Sequence, residues 1–198
     1  MNFPSTHRTL LDKVRAGDEV SWEEFYGRYS PVVRFVGALY GLRGDECEDL
    51  IQLVMVKFFN SAGRFVYREG EVRFRTYFAT VIRSAAVDLI RANAAHRRAE
   101  ERAAADPTFD ESFEKGFLDE WRKLVLKEAL EELRSRVAFR TYQAFQLYGL
   151  QDRPAAQVAE LLDMTVHQVH VAKSRCTATL REIVARRNAE DGELELDV

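Results

Sequence analysis

The sequence predicts an all-α protein of two helical domains, an N-terminal helical bundle and a C-terminal helix-turn-helix, joined by an acidic linker. Helix-forming Ala, Leu, Glu and Arg dominate the 198 residues, and only four prolines interrupt them. Apolar residues recur at spacings of three and four, and no long alternation of Val, Ile and Thr indicates strands. The length is sufficient for two small domains.

The N-terminal bundle is expected over residues 1–98 and opens with two amphipathic helices. The first is a short helix over residues 6–16. Ser21 is placed to cap the second, which carries a wide aromatic stripe. Because proline lacks an N–H and clashes with the preceding turn, Pro31 is expected to kink or restart this helix.

The third and fourth helices of the bundle have the clearest patterns. The third is expected over residues 45–59, and residues 60–72, which contain two glycines, are expected to form a loop. The fourth begins at Phe74 and gathers its large apolar residues on one face. Its opposite, polar face presents Arg83, Ser84, Asp88 and Arg91.

Residues 99–121 differ in character from the helices on either side. They are acidic, contain Pro107 and have no sustained period, so we interpret them as a linker that is helical at most in part. Phe109, Phe113 and Phe117 are spaced to dock onto a partner. A short helix packed on its own protein would explain these phenylalanines equally well.

The second helical domain is expected over residues 122–188, followed by an acidic tail over 189–198. A short helix, Ala155–Leu162, a turn and a long helix, Val166–Arg187, make a helix-turn-helix. In the turn, Asp163 tolerates a left-handed backbone and Thr165 is a good N-cap. Val166 is expected on the apolar face of the long helix. The residues expected to be exposed for the major groove are His167, Gln168, His170, Val171, Lys173, Ser174 and Arg175.

Charge is segregated along the chain, although the net total is only −3. Residues 64–98 carry eight arginines against three acids, a net +5, and residues 166–187 carry a net +4. Between them, residues 99–132 have eleven acids against five bases, a net −6. Two basic blocks indicate two surfaces facing a polyanion, whereas solvated helix faces with chance clustering are the alternative.

The remaining composition favours a soluble cytoplasmic protein without a metal or cofactor. Cys47 and Cys176 fall on apolar helix faces, as buried free thiols do in a reducing compartment. No long apolar run indicates a membrane span, and the N-terminus lacks the pattern of a signal peptide. His167 and His170 could share a metal, but no third ligand is suitably placed, and no catalytic motif indicates an enzyme.

Three stretches in order carry a family resemblance. EEFYGRYSPVVRFV followed by DECEDLIQLVMVKFFNSAGRF contains Asp-Leu-x-Gln at residues 49–52, VRFRTYFATVIRSAAVDLIRANAAHRR comes next, and AFQLYGLQDRPAAQVAELLDMTVHQVHVAKSRCTATLREIV lies beyond the acidic segment. Together they resemble the extracytoplasmic-function (ECF, group 4) sigma factors of the bacterial sigma-70 family, over residues 20–98 and 125–186. The resemblance implies an alternative sigma factor that binds core RNA polymerase and directs transcription initiation at specific promoters. Residues 1–98 would be region 2 and residues 122–188 region 4.

The resemblance also implies three groups of binding residues. Core polymerase would be bound by Glu48, Asp49, Gln52 and Val56. The −10 element would be recognised by Arg64, Tyr67, Arg68, Arg75, Arg83, Ser84, Asp88 and Arg91, and the loop around Arg64–Arg73 would hold a flipped-out base. The −35 element would be recognised by Thr165, His167, Gln168, His170, Val171, Lys173, Ser174 and Arg175.

The implied partners are promoter DNA and core RNA polymerase, through the clamp of its largest subunit and the flap of the second largest. An anti-sigma factor is a further candidate partner, and no membrane contact is expected. From the residues alone, a self-sufficient DNA-binding regulator stays open as an alternative, with residues 1–98 as a sensor or dimerisation domain. Such a regulator would bind an operator by itself, whereas a sigma factor would need core polymerase.

Overall fold

The computed structural model describes residues 7–62, 74–98 and 111–191, and these ranges are helices joined by short turns, with no strand among them. The predicted all-α fold class is confirmed. The described chain divides into two compact units, one from His7 to Leu124 and one from Val125 onward. None of the helices within these ranges is both long enough and apolar enough to cross a membrane.

The first unit is built from four helices and the beginning of a fifth. These are α1 (His7–Arg15), α2 (Glu19–Leu39), α3 (Asp45–Ala62), α4 (Phe74–Arg98) and, up to Leu124, α5 (Glu111–Arg136).

The start of α2 differs from the prediction, since Asp18 rather than Ser21 occupies the N-cap position. Ser21 lies within the first turn, where its buried Oγ donates a 2.6 Å hydrogen bond to Asp18 Oδ2. The helix also continues through Pro31 instead of restarting there. Pro31 removes the N–H partner of the Gly27 carbonyl; because both residues face solvent, water can satisfy that carbonyl.

An aromatic cluster forms the core of this unit. Phe25 stacks on Phe58 with ring centroids 4.6 Å apart, and Phe78 stacks on Phe74 at 5.3 Å. Tyr29 packs against Phe74 and Phe78, with ring centroids 5.4 and 5.1 Å away respectively. Buried aromatic pairs in these geometries contribute about 0.5–1.5 kcal/mol each beyond the area they bury. The cluster thus fixes α2, α3 and α4 against one another.

The beginning of α5 completes that core, which corrects the prediction of a linker up to residue 121. Phe113, Phe117 and Trp121 recur every fourth residue and are buried, Trp121 completely. The Trp121 ring lies 5.5 Å from Tyr29 between centroids. Gly116 lets α5 approach α2 closely, because a Cβ at this position would lie 3.2 Å from Phe35 Cε1 of α2. Phe113 and Phe117 therefore pack on their own protein; Phe109 lies outside the described residues.

The second unit consists of the rest of α5, α6 (Phe139–Ala144) with a π-helical continuation (Phe145–Leu150), α7 (Ala155–Leu162) and α8 (Val166–Asp191). One buried cluster joins α5 to α8 through Leu133, Cys176 and Leu180 among others, and a second joins α7 to α8. The π-helical turn depends on Gly149, because a Cβ there would lie 2.8 Å from Phe145 Cδ2.

The two helices of the predicted helix-turn-helix are present. α7 has the predicted bounds, and α8 begins at Val166 as predicted but extends to Asp191. Asp163 adopts the left-handed conformation, with φ +50° and ψ +54°. Val166 is 44% exposed, so its expected place on the apolar face is wrong. It stands in the first turn of α8, beyond the cluster that begins with Val169.

Candidate functional site

The first candidate surface is the exposed side of α3. Asp49, Gln52 and Val56 share it, since they follow one another at three and four residues and are all exposed. Glu48 differs, because it is half-buried and forms an ion pair with Arg34 of α2 at 2.5 Å. The structure therefore leaves three of the four predicted polymerase-binding residues on an open face and ties the fourth to its own protein.

This face continues into a groove between α1, α2 and α3, which we call the α1–α3 groove, with a volume of about 880 Å³. Gln52 and Val56 line one side, and Trp22 and Tyr26 of α2 line the other. Val56 and Phe59, which are 55% and 56% exposed, add apolar surface to this groove. The rim is acidic, with Asp18, Glu19 and Glu23. An apolar floor with an acidic rim suits a partner helix that carries apolar and basic residues.

The second candidate surface is the polar face of α4. Arg83, Ser84, Asp88 and Arg91 are all exposed there, as predicted from helical spacing. Arg75 is half-buried; with Arg83 it lines a cavity of about 250 Å³, closed on the other side by Phe113, Glu114, Phe117 and Leu118 of α5. The predicted contacts Arg64, Tyr67 and Arg68 lie outside the described residues.

Lys57 of α3 also belongs to this surface, although the family resemblance implies no role for it. Its Nζ donates a 2.9 Å hydrogen bond to Ser84 Oγ and pairs with the Asp88 carboxylate. A second polar link between the same helices runs from Asn93 Nδ2 to Glu46 Oε1, at 3.0 Å. The available signal was that Lys57 is the one basic residue in the sequence of α3.

The third candidate surface is the beginning of α8. The Gln168 backbone N–H donates to Thr165 Oγ1 at 3.1 Å, and the Thr165 N–H donates to Gln168 Oε1 at 2.8 Å. These reciprocal bonds form a capping box, which confirms Thr165 as the N-cap. The same bonds engage Gln168, which was predicted to contact a base edge.

The other predicted residues on α8 divide into two groups. Val171 and Lys173 are half-buried rather than exposed, and Lys173 Nζ lies 4.9 Å from the centre of the Tyr148 ring. The π-helical turn thus supports the third candidate surface, because Tyr148 also packs against His170 in a T-shaped arrangement with ring centroids 5.0 Å apart. The predicted residues that are exposed on α8 are His167, Gln168, His170, Ser174 and Arg175.

Two arginines of the basic block on α8, Arg186 and Arg187, form ion pairs within the second unit. Arg187 is buried and donates to Glu128 at 2.6 Å and to Glu132 at 3.1 Å. Arg186 donates from one nitrogen, Nη2, to both carboxylate oxygens of Glu132, at 2.6 and 2.7 Å, and Arg136 also pairs with Glu132, at 2.5 Å. Both glutamates lie on α5 in the block counted as acidic, so part of the segregated charge cancels inside the fold.

Both cysteines of the chain lie in buried positions. Cys47 and Cys176 are buried free thiols, as predicted, and burial raises the pKa of both, which disfavours the reactive thiolate. Among the residues with described positions, no three His, Cys, Asp or Glu side chains gather as a metal site would require.

Comparison with known families identifies the first unit. Residues 25–96, a little over a third of the chain, match sigma-70 region 2. The match covers most of α2, all of α3 and nearly all of α4, and so includes the first two candidate surfaces. No curated protein matches the chain. Region 2 implies a role in binding RNA polymerase and recognising promoters. The chain therefore carries a sigma-70 region 2 domain, which supports a sigma factor of the sigma-70 family.

Proposed function

We propose that this chain is an alternative sigma factor of the ECF type, acting in the cytoplasm. The observation that carries the proposal is the region 2 match over residues 25–96, on which Asp49, Gln52 and Val56 form an open face. In this proposal the first unit binds core polymerase and reads and melts the −10 element, and the second reads the −35 element.

Core polymerase binds at the exposed face of α3 and in the α1–α3 groove. The acidic rim and the exposed Val56 and Phe59 support this assignment, because they complement a helical clamp with basic and apolar side chains. Glu48 contributes indirectly, through its pair with Arg34. The flap of the second-largest subunit is proposed to hold the second unit, and an anti-sigma factor would compete for the same surfaces.

Promoter DNA meets α4 and the beginning of α8. On α4, Arg83 and Arg91 supply positive charge beside Ser84 and Asp88. On α8, His167, His170 and Ser174 are placed to reach base edges and Arg175 to reach phosphate, since all four are exposed. The Thr165–Gln168 capping box fixes the start of the helix that would enter the major groove.

The double variant Asp49→Ala, Gln52→Ala tests the polymerase-binding surface. Both side chains are exposed, so the fold should be unaffected while affinity for core polymerase falls by about tenfold or more, as for residues at the centre of an interface. The measurement is a titration of core polymerase with fluorescently labelled protein. Glu114→Ala, an exposed acid on α5 away from the groove, is the control and should bind as the unmodified chain does. Unchanged affinity of the double variant would contradict the assignment.

A further inference from the structure

The structure places a lysine from α3 on the DNA-facing side of α4. Lys57 Nζ reaches both Ser84 Oγ, at 2.9 Å, and the Asp88 carboxylate. Ser84 and Asp88 are one helical turn apart, so a single ammonium group spans both. The Lys57 side chain is 29% exposed and that of Asp88 is 55% exposed, so the pair lies at the surface rather than in the core.

The ion pair with Lys57 reduces the negative charge of Asp88 on the proposed −10 surface. Asp88 is an exposed carboxylate on a face that would approach phosphates, and a negative charge there repels the DNA strand. Pairing with the Lys57 ammonium cancels that charge. Because Ser84 Oγ accepts its hydrogen bond from Lys57, the Ser84 hydroxyl proton stays available to donate to a base or phosphate.

We propose that Lys57 is a positioning residue for −10 recognition, which neutralises Asp88 and orients Ser84 without itself contacting DNA. This inference rests on the proposed sigma-factor function. It assigns Lys57 a role different from that of the arginines on α4, since its partner is a side chain of its own protein.

A double-mutant comparison tests the role. Holoenzyme containing Lys57→Met should bind a promoter fragment, selected by in vitro transcription of a genomic library, about fivefold to tenfold more weakly than the unmodified holoenzyme. In the Asp88→Asn background, Lys57→Met should weaken binding by a clearly smaller factor, about twofold to threefold, because only the orientation of Ser84 is left to lose. Lys57→Arg keeps the positive charge and should stay within about twofold of the unmodified chain. Lys123→Met, which breaks the exposed pair with Glu120 on α5, is the matched control and should leave affinity unchanged.

The salt dependence of promoter binding distinguishes a positioning role of Lys57 from a direct contact between Lys57 and a phosphate. If Lys57 contacts a phosphate directly, Lys57→Met should weaken binding equally in both backgrounds and reduce the salt slope by about one; this result would overturn the inference. A Lys57→Arg variant as weak as Lys57→Met would also overturn it. Thermal melting of each variant monitors the fold, which an exposed ion pair hardly affects. Failure of the unmodified chain to bind core polymerase would instead refute the proposed function, and the role of Lys57 with it.

Discussion

At the scale of single residues, Thr165 and Gln168 fix the start of α8 by bonding to each other's backbone N–H groups. Thr165 was recognisable as an N-cap because its side chain acts on the backbone three residues away. Gln168 was assigned to DNA, whereas its Oε1 completes the capping box. The pairs of Arg187 with Glu128 and Glu132 had no signal in the sequence, because they join residues 59 and 55 positions apart.

Arg187→Ala should strongly destabilise the second unit. Removing Arg187 takes its guanidinium away from two buried carboxylates, Glu128 and Glu132, and breaking a buried ion pair costs about 3–5 kcal/mol; because Arg136 and Arg186 still pair with Glu132, we expect a loss near the lower end of that range. The expected result is a fall of this size in the free energy of unfolding measured by urea titration. Arg186→Ala is the matched control, because the Arg186 side chain is 47% exposed and its loss should cost about 1 kcal/mol or less. Equal losses for the two arginines would contradict the structural role given to Arg187.

At the scale of elements, helices defined by nearby residues were predictable and α5 was not. The bounds of α7 follow from Pro154 before it and Asp163 after it, and both signals are local. In α5 the acidic composition suggested a linker, while its structure depends on aromatic contacts with α2 and α4. Spacing alone indicated that Phe113 and Phe117 could dock, but it could not identify the surface that receives them.

Trp121→Ala should show that the beginning of α5 is part of the first unit. Trp121 is fully buried against Tyr29, Phe74 and Phe78, so the substitution should cost about 3–5 kcal/mol of unfolding free energy. Guanidinium unfolding followed by circular dichroism measures the change. Trp22→Ala is the control, because Trp22 is half-buried at the α1–α3 groove and should cost less. A loss for Trp121→Ala no larger than that for Trp22→Ala would mean that α5 stabilises the unit little.

At the scale of the whole molecule, the sequence predicted the fold class and the segregation of charge but not its cancellation. The net +4 of residues 166–187 counts Arg186 and Arg187, which pair with glutamates of α5. Lys173 lies against Tyr148, and Arg175 is exposed near the start of α8. The positive charge of α8 that is not paired with α5 is therefore smaller than the composition suggests.

The salt dependence of promoter binding should reflect this distribution. Holoenzyme with Arg175→Ala should bind its promoter more weakly, and the slope of log affinity against log salt should fall by about one, as expected for one lost phosphate contact. Arg186→Ala removes the same formal charge but should leave the slope unchanged, because Glu132 already engages that guanidinium. Fluorescence anisotropy across a salt series measures both. A slope reduced equally by the two substitutions would favour the charge distribution inferred from sequence.

The burial of Trp121 shows that the folded core of the first unit extends beyond the segment that matches region 2. The region 2 match ends at residue 96. The core of this unit also needs Trp121, which lies 25 positions later and is fully buried. A fragment cut at the end of α4 would present the rings of Tyr29, Phe74 and Phe78 to water and would be prone to aggregation. The compact unit is instead His7–Leu124, so a fragment intended for isolation should extend at least to Leu124.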